Sequence, residues 1–415
     1  MRPAPVYTRA VSLPSIAPPA TIGILGGGQL GRMLALAARS MGYRIAVMDP
    51  DPDCPTAAVA DRQVVAGYDD VGGALRLARY SDVVTYELEH VAVAVVDALD
   101  GVVPVRPGRL PLQVTQDRIL ERRFVEEAGA AVAPWREIRT TDDLRRTAVE
   151  LGFPLRVKAT TGGYDGRSQI RVAEAGDVDG ALERHGRQAG APLLAEAEMA
   201  FEMEVSIIVA RGVDGASAAF PVARNTHDEG ILAESVAPAP VAAEVAERAA
   251  DLGERLARTM GMIGTLTAEL FLMPDGQLVV NELAPRVHNS GHWTIDGAVT
   301  SQFEQHIRAI CGLGLGSPAA LAPTAMVNLL GTGRTRVARL ASGGPGRGLV
   351  LADPAAHLHL YDKRLVFERR KMGHVTATGS SVEDALERAR AAAAHVCWAD
   401  DPVGGGVAGG QEGER

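Results

Sequence analysis

Residues 21–42 read TIGILGGGQLGRMLALAARSMG. An uncharged run that breaks on glycines and resumes with helical apolar spacing has few ways to fold. It reads as a buried strand, a tight turn and a helix. RIAVMD at 44–49 repeats the strand signal, a helix is predicted over 71–80, and DVVTYE at 82–87 supplies another strand. That alternation indicates an α/β fold with a parallel sheet. Gly26, Gly28 and Gly31 also satisfy G-x-G-x-x-G, and Asp49 ends the next strand, near where the ribose-binding acid of a dinucleotide site falls. The pattern admits a dinucleotide, a phosphorylated substrate at the helix N-terminus, or a purely structural use. Glycine lets the backbone turn and approach whatever anion is bound.

A chain of 415 residues has room for two or three domains. Residues 101–114, rich in Pro, Gly and Arg, read as a connection. QDRILERRFVEEAG then gives a charged amphipathic helix, and LRVKAT at 155–160 a strand. TTGGYDGRSQI is a glycine-rich loop returning to a strand. LLAEAEM at 193–199 and VSIIVARG at 205–212 add two strands, and a long helix is predicted over 241–260. TLTAELFLMPDGQLVVNELAP is a β-hairpin turning on Pro274-Asp275-Gly276. Residues 325–330 and 346–351 read as strands of a final small domain. The first 20 residues, rich in Pro and Ala, read as a loose extension rather than a signal peptide, and 399–415 as a disordered tail. No apolar run reaches the 18 residues of a membrane span. A net charge of -9 with no basic block argues against a nucleic-acid surface, while leaving room for local anion sites. Cys54, Cys311 and Cys397 have neither metal nor disulfide spacing and read as cytosolic thiols.

Lysine occurs only at Lys158, Lys363 and Lys371, all within short polar motifs. Arginine replaces a surface lysine easily, but not one whose compact ammonium must meet a phosphate or carboxylate. Lys158 closes a strand, and Gly162-Gly163-Tyr164-Asp165-Gly166-Arg167-Ser168 follows. Successive amides of such a loop can face phosphate oxygens, with the lysine neutralising charge on the transferring group. It is not a Walker A loop, because no G-K-S/T closes it, and it also suits a plain hairpin turn. Downstream, Glu204 suits ribose hydroxyls, and Glu196, Ala197, Glu198 and Met199 can present backbone groups to an adenine edge. On the hairpin, Glu269 lies five residues before Pro274 and Glu282 six after Gly276, near cross-strand neighbours in otherwise apolar strands. Two such carboxylates repel unless a cation separates them. Mg²⁺ bridging nucleotide phosphates is the natural choice, with Asn281 assisting. Arg286, His288, Asn289 and Ser290 crowd the following loop with donors, suiting phosphate or bicarbonate better than zinc.

These segments resemble the ATP-grasp superfamily and, within it, the N5-carboxyaminoimidazole ribonucleotide synthases, over residues 21 to about 395. The resemblance is carried by GILGGGQLGRM, TYELEHV (85–91), KATTGGYDGRSQ (158–169), HDEGIL (227–232), NELAPRVHNSGHWT (281–294) and YDKRLVFERRKMGH (361–374). It implies an N-terminal Rossmann-like α/β domain (21–115), a two-lobed ATP-grasp body (116–310, smaller lid lobe about 135–200) and a small C-terminal domain (311–398). It implies ATP contacts from Arg118, Lys158, Gly163 to Gln169, Glu196 to Met199, Glu204, His227, Asn281 and Glu282, with Mg²⁺ on Glu269 and Glu282. Ribonucleotide and bicarbonate would meet Tyr164, Asp165, Arg167, Arg286, His288, Asn289, Ser290, Lys363, Arg370 and Lys371, with Gly28, Gln29 and Leu30 on the substrate side. Lys158, Asp165, Arg286, Lys363 and Arg370 are the catalytic candidates, and Asp165 either orients the substrate amine or accepts its proton. The implied reaction is ATP- and bicarbonate-dependent carboxylation of 5-aminoimidazole ribonucleotide through carboxyphosphate, in a cytoplasmic homodimer. Arg122 departs from a frequent lysine, Ser168 from a frequent glycine, and residues 222–226 from common family forms. Other readings are a formate-using glycinamide ribonucleotide transformylase, an NAD-dependent oxidoreductase built on Gly26–Gly31, and a silent nucleotide-binding regulator.

Overall fold

The computed structural model describes residues 15–162, 169–186, 191–339 and 351–399. Its first unit is a four-stranded sheet in the order Arg62–Val65, Arg44–Asp49, Thr21–Leu25, Val83–Tyr86, parallel throughout. Helices Gln29–Ser40 and Val71–Ala78 lie where the apolar spacing predicts them. Arg62–Val65 carries only four residues, two of them polar, too short for a sequence signal. The 101–114 connection is not irregular throughout: helix Arg109–Gln116 occupies its second half. Asp117 then caps helix Arg118–Glu127, its carboxylate accepting from Ile119 N at 2.8 Å and Leu120 N at 3.2 Å.

A small antiparallel sheet follows, in the order Trp135–Ile138, Leu193–Ala197, Leu155–Ala159, Gln169–Val172. It has its own core, with Ile138, Leu144, Leu155 and Val157 closed under helix Thr141–Leu151. Among the described residues, the largest sheet has ten strands. Its centre is Met203–Arg211 paired antiparallel with Gly264–Leu272, which turns back as Leu278–Ala284. Helix Ala243–Thr259 buries Leu252, Leu256 and Ala257 against these strands. Most of the C-terminal strands extend this same sheet: Thr324–Leu330 joins Ile231–Ala237, and Lys371–Thr378 and Ala356–Leu360 follow, while Arg336–Val337 and Leu365–Val366 pair apart as a two-stranded sheet. Of the strand predicted at 346–351, only Leu351 falls within the described residues, and it lies in a turn.

The parallel unit and the large sheet share one core, in which Ile22, Leu34 and Ile45 meet Val287, Phe303, Ile307 and Tyr361. The end of the predicted loose extension is pinned there, Ile16 N donating to Cys311 O at 2.8 Å and Ile16 O accepting from Tyr43 Oη at 2.7 Å. Near the carboxyl end of Val83–Tyr86, the Thr85 hydroxyl lies 2.8 Å from the ring of His306.

Candidate active site

A cavity of about 760 Å³ lies between the small sheet, the large sheet and the first helix of the parallel unit. Strand alternation explains its roof: Arg156 and Lys158 share one face of their strand, and Glu196 and Glu198 the same face of the neighbouring one. Lys158 Nζ pairs with Glu196, and Arg156 Nε with Glu198 at 2.6 Å. Burial pushes the Lys158 ammonium down against the pull of Glu196. Burial alone would raise Glu196, but Lys158 and Arg122 hold it down to about 2.

The floor is the hairpin. Glu269 and Glu282 stand directly opposite each other. A one-residue bulge makes this so: Leu270 pairs with Val280, Glu269 with Glu282, and Asn281 is the extra residue between. A bulge breaks alternation, so Asn281 and Glu282, adjacent in sequence, both reach the cavity. Burial raises Glu269 to about 7, His227 opposing and the charges of Glu282 and Glu204 adding. Glu282 is held low against its burial by Arg118, 3.2 Å away, and by Lys158. Two further bulges fall beside the cavity: one at Thr226/His227, the other at Leu329/Leu330, where Leu329 faces Gly373 and Leu330 faces Lys371. His227 and Lys371 line the cavity next to them, and His227 pairs with Glu204.

The 281–294 loop supplies the far wall. Arg286 Nε is 2.8 Å from Glu89, and His288 Nε2 is 3.4 Å from Glu269. Burial beside Arg286 and Lys371 keeps His288 neutral, well below the usual imidazole range. Asn289 lines the cavity and is locked to Asn328 through both amide groups, at 3.1 and 2.7 Å. Ser290 is fully buried beneath the cavity, its hydroxyl 2.9 Å from that of Ser206.

The glycine turn has its own tenant. Glu87 accepts from Gly28 N at 2.8 Å and Gly31 N at 2.7 Å, and Asp49 from Gly27 N at 2.7 Å. These carboxylates stand where a dinucleotide pyrophosphate and its ribose partner would be needed, so the fingerprint is not a free dinucleotide site. A Cβ on Gly26, whose φ is +100°, would come within 2.0 Å of Leu88. Gly28 is thus engaged through its amide, while Gln29 and Leu30 reach the cavity.

The cavity gathers Arg118, Lys158, Gln169, the 196–199 segment, Glu204, His227, Glu269, Asn281, Glu282, Arg286, His288, Asn289 and Lys371. Lys363 and Arg370 do not line it. Lys363 Nζ donates to Lys371 O at 2.7 Å, and Arg370 donates to Leu365 O at 2.7 Å over the Phe367 ring. Both instead support the strand that carries Lys371. Gly163, Tyr164, Asp165, Gly166, Arg167 and Ser168 lie outside the described residues. Phe201 and Phe271, stacked at 4.5 Å beside the 196–199 segment, were not singled out from sequence, nor was Arg156. The position of Phe271, two residues beyond Glu269 on the same strand face, was the available signal.

Residues 19–116 match the ribonucleotide synthetase preATP-grasp domain, 123–303 the ATP-grasp domain and 324–388 the phosphoribosylaminoimidazole carboxylase C-terminal domain. The N5-carboxyaminoimidazole ribonucleotide synthase of Bacillus subtilis is 42% identical over 367 residues, covering 87% of this chain and 92% of its own. A crystal structure of an N5-carboxyaminoimidazole ribonucleotide synthetase as its ADP complex superposes with a TM-score of 0.83 at 42% identity, over 91% of this chain and 97% of that one. The Aspergillus clavatus N5-carboxyaminoimidazole synthase, in complex with ADP and 5-aminoimidazole ribonucleotide, superposes with a TM-score of 0.81 at 29% identity, over 91% and 98%.

Proposed function

The chain belongs to the N5-carboxyaminoimidazole ribonucleotide synthase family of ATP-grasp ligases, and we propose its reaction and the role of each cavity residue on that basis. It carboxylates the 5-amino group of 5-aminoimidazole ribonucleotide, using ATP and bicarbonate and releasing ADP and phosphate, a step of purine synthesis. The observation that carries the residue assignment is the single cavity in which Lys158, the opposed pair Glu269 and Glu282, and the 286–289 donors face one another.

The adenine edge meets the backbone of residues 196–199, with Phe271 offering apolar surface. Glu204, with His227 behind it, takes the ribose hydroxyls, and Lys158 and Arg118 take phosphate charge. Glu269 and Glu282 fit a hard divalent cation: two partly buried carboxylates repel across a strand pair, and two oxygen donors would leave room for phosphate and water. Mg²⁺ held there supplies neutralisation of the terminal phosphates. Among the described residues no group of three or more His, Cys, Asp and Glu side chains makes an all-protein metal cage.

A bicarbonate oxygen attacks the γ-phosphorus, the bond to ADP breaks, and carboxyphosphate forms. Arg286, His288 and Asn289 orient bicarbonate, His288 through a neutral ring that leaves the anion's charge to Arg286. The substrate amine then attacks the carboxyl carbon, phosphate departs and the amine loses a proton, with Asp165 as the orienting group or proton acceptor. Lys371, steadied by Lys363, holds the ribonucleotide. Carboxyphosphate hydrolyses readily, so the small sheet must exclude water while it exists. Homodimerisation is part of this reading, and among the described residues no helix is long and apolar enough to cross a membrane.

Incubation with ¹³C-bicarbonate, MgATP and 5-aminoimidazole ribonucleotide should give a carbamate carbon resonance coupled to the ribonucleotide amine. Incorporation of ¹³C-formate instead, onto glycinamide ribonucleotide, would replace this reading with the transformylase.

A further inference from the structure

Behind the cavity lining, helix Arg118–Glu127 meets strands Leu193–Ala197 and Leu278–Ala284 through a buried charge cluster. Arg122 is 1% exposed and does not line the cavity. Its Nη2 lies 3.0 Å from Glu196 Oε2 and its Nη1 3.1 Å from Glu121 Oε2. The second oxygen of Glu196 pairs with Lys158. The second oxygen of Glu121 accepts from Leu283 N at 2.6 Å, next in sequence to Glu282. A buried guanidinium between two carboxylates loses hydration that its ion pairs barely recover, and apolar side chains would stabilise the fold as well or better. Stability alone therefore does not account for Arg122.

Lys158 is the cluster member that faces the cavity, and Glu196 holds it. When phosphate oxygens arrive, they compete with Glu196 for that ammonium. A carboxylate 4% exposed cannot be left without a counter-charge at small cost. Resting on the reading that ATP phosphates reach Lys158, we propose that Arg122 is a positioning residue for nucleotide binding: it keeps Glu196 neutralised while Lys158 turns to the phosphates. Through Glu121 it also fixes the strand that carries Glu282, so both phosphate-side groups are referred to one guanidinium. The planar fork spans two carboxylates at once, which a lysine ammonium does less well.

Two variants test this, by steady-state kinetics and by calorimetric titration with ADP. Glu121→Gln/Arg122→Met removes the guanidinium together with one of its buried partners, and Arg122→Lys keeps the charge without the fork. KM for ATP should rise about tenfold in the double variant, the loss of one charge-assisted hydrogen bond, and about threefold in Arg122→Lys, with kcat nearly unchanged. The ADP dissociation constant should rise in parallel, and KM for 5-aminoimidazole ribonucleotide should stay put. An unchanged KM for ATP in Arg122→Lys overturns the proposal whether or not the double variant folds. So does a fall in kcat at constant KM. A wild-type chain that fails to bind ADP sinks the nucleotide reading itself, whereas normal wild-type binding with unaltered variants sinks only the role of Arg122.

Discussion

Glu269 and Glu282 concentrate the cost of this site in two side chains. Burial and the facing carboxylates raise Glu269 to about 7, above the ordinary 4.5. Between those values the folded chain holds a proton that the unfolded chain has released. Raising the pH through that window therefore destabilises the fold, and the loss is complete above about 7. A cation replaces the proton. Mg²⁺ should accordingly raise the melting temperature more at pH 8 than at pH 5.5, and Glu269→Gln should abolish that difference. Equal Mg²⁺ shifts at both pH values in differential scanning fluorimetry would contradict the assignment. The pairing of these acids was legible because both strands and the Pro-Asp-Gly turn were. The roles of Glu87 and Arg122 were not, since their partners lie 59 and 56 residues away at Gly28 and Gly31, and 74 away at Glu196. Only the folded chain brings them together.

Among elements, the bulges do most to build the site. Three register shifts occur in the large sheet among the described residues, and each sits beside a cavity residue: His227, Glu282 or Lys371. Sequence alternation predicts strands but not the one-residue slip that re-aims a side chain, so Asn281 and Glu282 were expected at the site without the reason both could reach it. The C-terminal strands were harder still. Lys371–Thr378 follows a polar, basic segment, and its burial comes from the sheet it joins rather than from its own pattern. Its entry is held by Arg369, whose guanidinium Nη1 lies 2.5 Å from Glu229, both residues in the left-handed region at φ 63° and 46°. Glu229 lines the cavity, so this pair joins the cavity wall to the segment leading into Lys371. A non-glycine residue pays about 1 kcal/mol or more for that conformation. Arg369→Ala keeps the strain and loses the ion pair, whereas Arg369→Gly loses both. Urea unfolding should find the glycine variant more stable than the alanine variant by about 1 kcal/mol. Equal stabilities would mean that the backbone at Arg369 is not held left-handed.

At the scale of the molecule, the parallel unit is bound to the large sheet rather than tethered to it. Ile22 and Leu34 share a core with Phe303 and Ile307, and the Thr85 hydroxyl lies 2.8 Å from the ring of His306. The small sheet keeps a separate core of its own. This division places Gln29 and Leu30 on a wall with the large sheet, while Lys158 and Glu196 come from a unit with a core of its own, tied to the large sheet through Arg122 and Glu121. The fold class and the order of units were legible from strand–helix alternation and the family motifs. The continuity of the large sheet through the C-terminal strands was not, because pairing between Ile231–Ala237 and Thr324–Leu330 leaves no mark in either strand alone. We propose that this one cavity couples ATP cleavage to carboxylation of an aminoimidazole ribonucleotide. ADP release by the purified chain with MgATP and bicarbonate, with and without 5-aminoimidazole ribonucleotide, tests it most directly. We predict strong dependence on the ribonucleotide, abolished by Glu282→Ala. ADP release at the same rate without the ribonucleotide, or none in folded protein that binds ATP, would contradict it.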